Sequence, residues 1–223
     1  MKISQLLAVL VVVATLILAF EEAFGQNPAA DARLETVLAG LETRYDMPFF
    51  SAPFVQHSKM AVMEMEDKAT GRLHIKRPGK MRWEYETPER QIVVSDAVQL
   101  WIYRPADRQV LIGKAPAYFS DGKGASFLSD MKVLRRNFTI TLEPETDAAV
   151  ARLKLVPKQR TADLAFIVLE IKQDGFSIDT ITTTNAYGDE TRIEIGAIQT
   201  DAPLADALFS FEIPPGTEIL NLE

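Results

Sequence analysis

GRLHIKRPGKMRWEYETPERQIVVSDAVQLWIYRP, running from Gly71 to Pro105, is the stretch that decides the fold. Its strands alternate, and in Arg72-Leu73-His74-Ile75-Lys76-Arg77 a period of two sets Leu73, Ile75 and Arg77 on one face. Arg72, His74 and Lys76 take the other. A guanidinium does not lose its proton, so on an apolar face it needs acceptors or water. An arginine closing a greasy strand reads as a latch at the rim of a cavity.

The chain outside this block sets the compartment and excludes several kinds of chemistry. Lys2 precedes an uncharged run from Leu6 to Phe20, apolar apart from Thr15, and Ala23-Phe24-Gly25 supplies small residues for cleavage. This predicts a secretory signal peptide over residues 1–25 and one domain over 26–223. The apolar run is short of the roughly 20 residues that a membrane-spanning helix needs. No cysteine occurs, which excludes disulfides, thiol chemistry and a lipid-modified N-terminal cysteine. Loss of Lys2, Glu21 and Glu22 moves the formal charge from −7 to −6. An acidic chain is a poor binder of nucleic acid, and none is expected as a partner.

Asp31 to Tyr45 has the apolar spacing of a helix, capped by Asp31 and stopped by Pro48. Phe50, Ala52 and Phe54 share a strand face, as do Ala61, Met63 and Met65. Further strands are expected at Leu73, Met81–Tyr85, Ile92–Ser95, Leu100–Tyr103 and Val110–Ile112. Phe127, Leu128, Met131 and Leu134 predict a second helix over Ala125–Leu134. Five more strands follow between Phe138 and Ile198, then a short helix over Pro203–Leu208. Many antiparallel strands with few helices predict a mainly β fold, a curved sheet or barrel with helices covering it.

Catalytic signatures are missing. Two histidines, His57 and His74, without cysteine are too few for a zinc site rich in nitrogen and sulfur. There is no nucleophile elbow, Walker loop or dinucleotide fingerprint. Glu84 and Glu86 alternate with aromatics like the wet face of a strand. What remains is a greasy set at alternating positions: Phe50, Phe54, Met63, Met65, Met81, Trp83, Tyr85, Trp101 and Tyr103. It reads either as an ordinary core or as a ligand cavity. Adaptable methionine and aromatic side chains, and Arg77 on the apolar parity, favour the cavity.

These residues resemble the LolA family of outer-membrane lipoprotein carriers. The match runs through Phe50-x-Ala52-x-Phe54-x-Gln56 and Gly71-x-Leu73-x-Ile75-Lys76-Arg77-Pro78. It continues in Trp83, Pro88, Val94-Ser95-Asp96, Leu100-Trp101-Ile102-Tyr103 and Pro105. Weaker echoes are Val156-Pro157-Lys158, Phe209-Ser210-Phe211 and Pro214-Pro215-Gly216. Met81 departs from the aromatic that family members often carry after Lys-Arg-Pro.

The resemblance implies a strongly curved, incompletely closed antiparallel β-barrel under a helical lid. It implies a periplasmic carrier for the acyl chains of lipoproteins, taken from an ATP-driven releasing complex of the inner membrane and passed to an outer-membrane acceptor. Arg77 falls on the family's lid latch. The expected cavity adds Leu73 and Ile75 to the greasy set above, and Phe127, Leu128 and Met131 from the lid. No cofactor or nucleotide is implied, no catalysis is expected, and the carrier is expected to act as a monomer. The alternatives are a periplasmic lipid- or glycolipid-binding module of the same fold, and an enzyme using the same cup.

Overall fold

The alternating runs become twelve strands in a computed structural model, which describes residues 28–116, 123–144 and 147–222. The expected signal peptide lies outside these residues. Two units are distinguished, Met1–Thr36 and Val37–Glu223, and the sheet belongs to the second. Its first six strands are β1 (Phe49–Met60), β2 (Met65–Lys76), β3 (Lys80–Thr87), β4 (Gln91–Asp96), β5 (Gln99–Arg104) and β6 (Gln109–Lys114). The others are β7 (Phe138–Leu142), β8 (Val150–Pro157), β9 (Phe166–Lys172), β10 (Ser177–Thr184), β11 (Glu190–Ile195) and β12 (Glu218–Asn221).

Neighbouring strands run in the order β12-β6-β5-β4-β3-β2-β1-β11-β10-β9-β8-β7. Two meanders are thus stitched together where β1 pairs with β11, Phe54 opposite Ile195. Every pairing is antiparallel except β12 with β6. The two ends, β7 and β12, do not pair with each other, so the curved sheet stays open. This is the incompletely closed architecture that the family resemblance implies, and one of the two outcomes, curved sheet or barrel, that the alternation left open.

Several expectations change in detail, among them the short helix expected over Pro203–Leu208, which is a 3-10 turn over Asp206–Phe209. Residues 61–64 form a turn rather than strand, with the Ala61 N–H held by Asp189 Oδ1 at 2.9 Å. Met63 and Met65 therefore do not continue a strand face. The second helix is broken: a 3-10 segment, Lys123–Ser129, is followed by α2, Lys132–Asn137. Asp130 lies at the break, its carboxylate accepting the Lys132 N–H at 3.1 Å in place of a helical carbonyl. The buried positions are nonetheless Phe127, Leu128, Met131 and Leu134. β12 carries no alternating burial to announce it, all four residues being exposed.

The first helix, α1, covers Pro28–Arg44, three residues earlier than expected. Proline is tolerated in a first turn, where its missing N–H has no helical partner to lose. Asp31 accordingly sits in the first turn, favourable to the helix dipole, rather than at the cap. Inside the first unit Thr36 Oγ1 donates to the Ala32 carbonyl at 2.9 Å. Inside the second, Val37, Leu38, Leu41 and Tyr45 are buried. Gly40 must be glycine, because a Cβ there would collide with the ring of Phe176.

Candidate functional site

Residues directly opposite in a sheet share a face, so the register sorts every strand residue. One row reads Ala52, Leu73, Trp83, Val93, Ile102 and Leu111 across β1 to β6. The adjacent row reads Ser51, His74, Arg82, Val94, Trp101 and Ile112 and faces the opposite way. The first row is on the inner face. A hollow of about 260 Å³ opens there between Met81, Trp83, Val93 and Ile102 on one side and Ile193 and Thr183 on the other. Ala125 of the 3-10 segment lines it too, so that segment covers the inner face.

Aromatic packing inside the hollow depends on Gly71. A Cβ at Gly71 would strike the Glu84 carbonyl and press on the Phe54 ring. Its absence leaves Phe54 edge-on to Trp83, centroids 4.8 Å apart, and to Tyr85 at 5.1 Å. Phe50, Leu73 and Ile75 are fully buried, and Met81 and Trp83 nearly so. Phe127, Leu128 and Met131 are buried in and after the 3-10 segment.

Arg77 follows β2 directly, its N–H bonded to the Pro48 carbonyl at 2.8 Å. Its guanidinium forks. Nη1 donates to the carbonyl of Tyr45, just past the end of α1, and Nη2 donates to the carbonyl of Leu128 at 2.7 Å. Nε is buried without an acceptor among the described residues. Burial pushes the Arg77 pKa down, while Asp130, Asp46 and Tyr45 oppose the shift, and the group stays charged. Sequence reasoning missed Tyr45. It is 1 % exposed, and its phenol oxygen accepts the Ile178 N–H of β10 at 3.0 Å. Burial, ahead of all other influences, raises the Tyr45 pKa, so the phenol stays neutral. A chain of contacts thus runs from β10 through Tyr45 and Arg77 to Leu128.

Of the expected cavity residues, Met81, Trp83 and Tyr85 line the hollow. Phe50, Phe54, Leu73, Ile75, Phe127, Leu128 and Met131 are buried without lining it, and the rest lie elsewhere. Met63 and Met65 are 66 % and 48 % exposed at the β1–β2 tip, away from the hollow. Trp101 and Tyr103 require a correction. They lie on the outer face, where Trp101 packs with Val94 and Val110 in a separate apolar cluster. Tyr103 meets Phe211 there at 5.3 Å. The sequence shows each strand's alternation but not how the phase of one strand relates to the next. Residues that line the hollow and were not expected include Gln56, Gln91, Val93, Ile102, Thr183 and Thr191.

The outer face is covered by the chain after β11. Arg72 Nη1 donates to Gln199 Oε1 at 2.9 Å, and Lys76 Nζ to the Leu204 carbonyl at 2.7 Å. Lys80 pairs with Asp206 at 2.7 Å, and Arg82 Nη1 reaches the Leu208 carbonyl at 3.2 Å. Ser51 and Gln199 exchange backbone hydrogen bonds of 2.9 and 2.8 Å. No cluster of metal-ligating side chains occurs among the described residues.

Known proteins resemble this chain in sequence and in fold. The family model described as outer membrane lipoprotein carrier protein LolA matches residues 47–212. An outer-membrane lipoprotein carrier protein of Coxiella burnetii is 31% identical over 152 residues, 68% of this chain and 70% of that one. One from Hahella chejuensis is 25% identical over 221 residues, covering 99% of each. Among solved structures, an uncharacterized conserved protein from Thermus thermophilus aligns with a TM-score of 0.55 and 13% identity. It covers 85% of this chain and 99% of its own, a likeness of fold.

Proposed function

The chain belongs to the LolA family of outer membrane lipoprotein carriers, and from that premise we propose that it shields lipoprotein acyl chains on its inner face during transit between two membranes. The observation that carries this reading is the pair of bonds from Arg77 to Tyr45 and Leu128, which ties down the cover of an oily hollow. The roles of Arg77 as latch and of Phe50, Phe54, Leu73, Ile75, Met81, Trp83, Tyr85, Phe127, Leu128 and Met131 as acyl-chain contacts are part of the proposal. Binding and hand-over are its activity, without catalysis.

The energetics are those of a reversible carrier. Burying one methylene contributes about 0.8 kcal/mol, so full enclosure of several acyl chains gives nearly irreversible retention. Release then needs an offset. Hydrogen bonds from a charged donor, about 1.5–3 kcal/mol each, stabilise the empty, covered state and lower the net affinity for lipid. The hollow, at about 260 Å³, is smaller than the roughly 300–1,000 Å³ of small-molecule pockets. Long chains enter only when the 3-10 segment withdraws and Arg77 lets go.

On this reading the signal segment directs the chain to the periplasm. There it receives cargo from an ATP-driven releasing complex of the inner membrane and delivers it to an outer-membrane acceptor. Depletion in the native host followed by separation of the membranes tests it. Lipoproteins should accumulate in the inner membrane, and unchanged sorting would refute the carrier role.

A further inference from the structure

The hollow changes character along its length. Moving two residues along a strand advances one layer, about 6.7 Å. The layer nearest Arg77 holds Phe50, Ile75 and Met81, and the next holds Trp83, Val93 and Ile102. The layers beyond mix in polar groups, with Tyr85 opposite Gln91 in the row of Phe54, then Gln56 opposite Ile193, and Thr183 and Thr191. Tyr85 Oη donates to Gln56 Oε1 at 3.0 Å, and Gln56 Nε2 donates to Ser58 Oγ at 3.1 Å. Those groups satisfy one another.

Trp83 does not fit that account. Its residue is 4 % exposed, and its indole Nε1–H is buried with no acceptor among the described residues. A purely hydrocarbon cup has no use for such a donor. Phenylalanine would supply the ring without the cost of an unmet hydrogen bond. The orphaned donor lies in the layer where oily lining gives way to polar lining. An acylated glyceryl group has the same sequence of chemistry: hydrocarbon, then ester carbonyls, then a polar head.

Resting on the lipid-carrier reading, we propose that Trp83 marks a subsite for the ester carbonyl oxygen of an acylated glyceryl group. Its Nε1–H donates to that oxygen, the chains extend toward Met81 and Phe50, and the head lies toward Gln56, Tyr85 and Gln91. The donor is sealed while the cover is down and meets its acceptor when lipid replaces the cover. Trp83 in this view distinguishes acyl esters from other long-chain lipids, which greasy walls alone do not.

The chain has two tryptophans, one on each face of the sheet, so Trp101 serves as an internal control. The purified protein, labelled with ¹⁵N at its indoles, is titrated with a dipalmitoyl-glyceryl lipopeptide and with its dihexadecyl ether counterpart. A dipalmitoyl phospholipid forms a third arm. The ester lipopeptide is expected to bind about fivefold more tightly than the ether, the worth of one net hydrogen bond. It should shift the Trp83 indole proton and leave that of Trp101 in place. Trp83→Phe should bring the ester-to-ether ratio close to one. A Trp83 shift with the phospholipid as well extends the subsite to any glyceryl ester, and a shift with the ester lipopeptide alone supports it for the ester of the lipoprotein anchor. Equal affinity for ester and ether, an unmoved Trp83 indole, or a ratio unchanged in Trp83→Phe would overturn the subsite while leaving the carrier reading intact. Failure of both lipopeptides to bind would overturn the two together. Should Trp83→Phe not fold, the indole shift in the parent protein decides.

Discussion

Trp83 and Trp101 sit on neighbouring rows of one sheet, yet their surroundings differ in kind. Around Trp101 the outer face is closed by a segment held along much of its length. Arg72, Lys76, Lys80 and Arg82 each contact it, and Ser51 is bridged to Gln199 by backbone. The Trp101 cluster packs Val94, Trp101 and Val110 against Ile92, Tyr103, Ile112 and Phe211. Around Trp83 the inner face leaves a hollow, an unmet donor and polar lining; Arg77 joins its cover to the chain just past α1, and Arg135 of α2 reaches Glu42 of α1 at 2.6 Å. The outer cover is tied along its length by four basic side chains and a backbone bridge, whereas one residue, Arg77, bonds both the 3-10 segment at Leu128 and the chain just past α1 at Tyr45.

Truncation on the outer face should have the largest effect on stability and little on binding. Trp101→Ala is expected to lose about 3–5 kcal/mol, the usual cost of emptying an aromatic core site, read from urea denaturation. Lipid affinity per folded molecule should stay within about twofold. A marked loss of affinity would show that the outer cluster belongs to the site and would end the division of labour.

On the inner face the order reverses. Arg77→Leu removes the bonds to Tyr45 and to Leu128 of the cover, each about 1.5–3 kcal/mol for a charged donor. Bound lipopeptide should then dissociate at least about tenfold more slowly. Release as fast as from the parent protein would remove Arg77 from the latch. Tyr45→Phe keeps the carbonyl that Arg77 uses but strands the Ile178 N–H. It should cost about 1–3 kcal/mol of stability, with hydrogen exchange at Ile178 accelerating beyond that at Leu169.

The smallest effect is a pH dependence on the outer face. His74 Nδ1 lies 2.7 Å from Ser51 Oγ, and burial lowers the His74 pKa. Glu84 acts against that shift, and Arg72 and Arg82 reinforce it. The unfolded chain takes up a proton near pH 6.5 while the folded chain does not yet do so. Stability should therefore fall as pH drops below about 6.5 and level off beneath the lowered folded value. His74→Gln should flatten that slope in urea midpoints measured across this window, and an unaltered slope would exclude His74 as its source.

Individual residues show how far the chain was legible. The strands of the Gly71–Pro105 block were readable because half-buried strands alternate strictly. Arg77 was conspicuous because its parity contradicts its charge. Tyr45 was not, since a buried tyrosine after a helical stripe looks like any core aromatic until its partner strand is known. Trp101 and Tyr103 were placed with Trp83 because all three share strong strand patterns. Both faces of β4 and β5 are apolar, so composition does not separate the inner from the outer.

By itself the sequence determined the mainly β class, the spacing of its strands, the family and the oddity of one arginine. The class, the strand spacing and the arginine follow from local periodicity and residue chemistry, and the family from the order and spacing of its motif residues; none of these needs a partner to be read. Tertiary structure decided which phase of each strand faces the hollow, which carbonyls meet Arg77, and that the indole of Trp83 is left unpaired. Each of these depends on register between strands or on segments distant in the chain, and side-chain period within one strand carries no information about either.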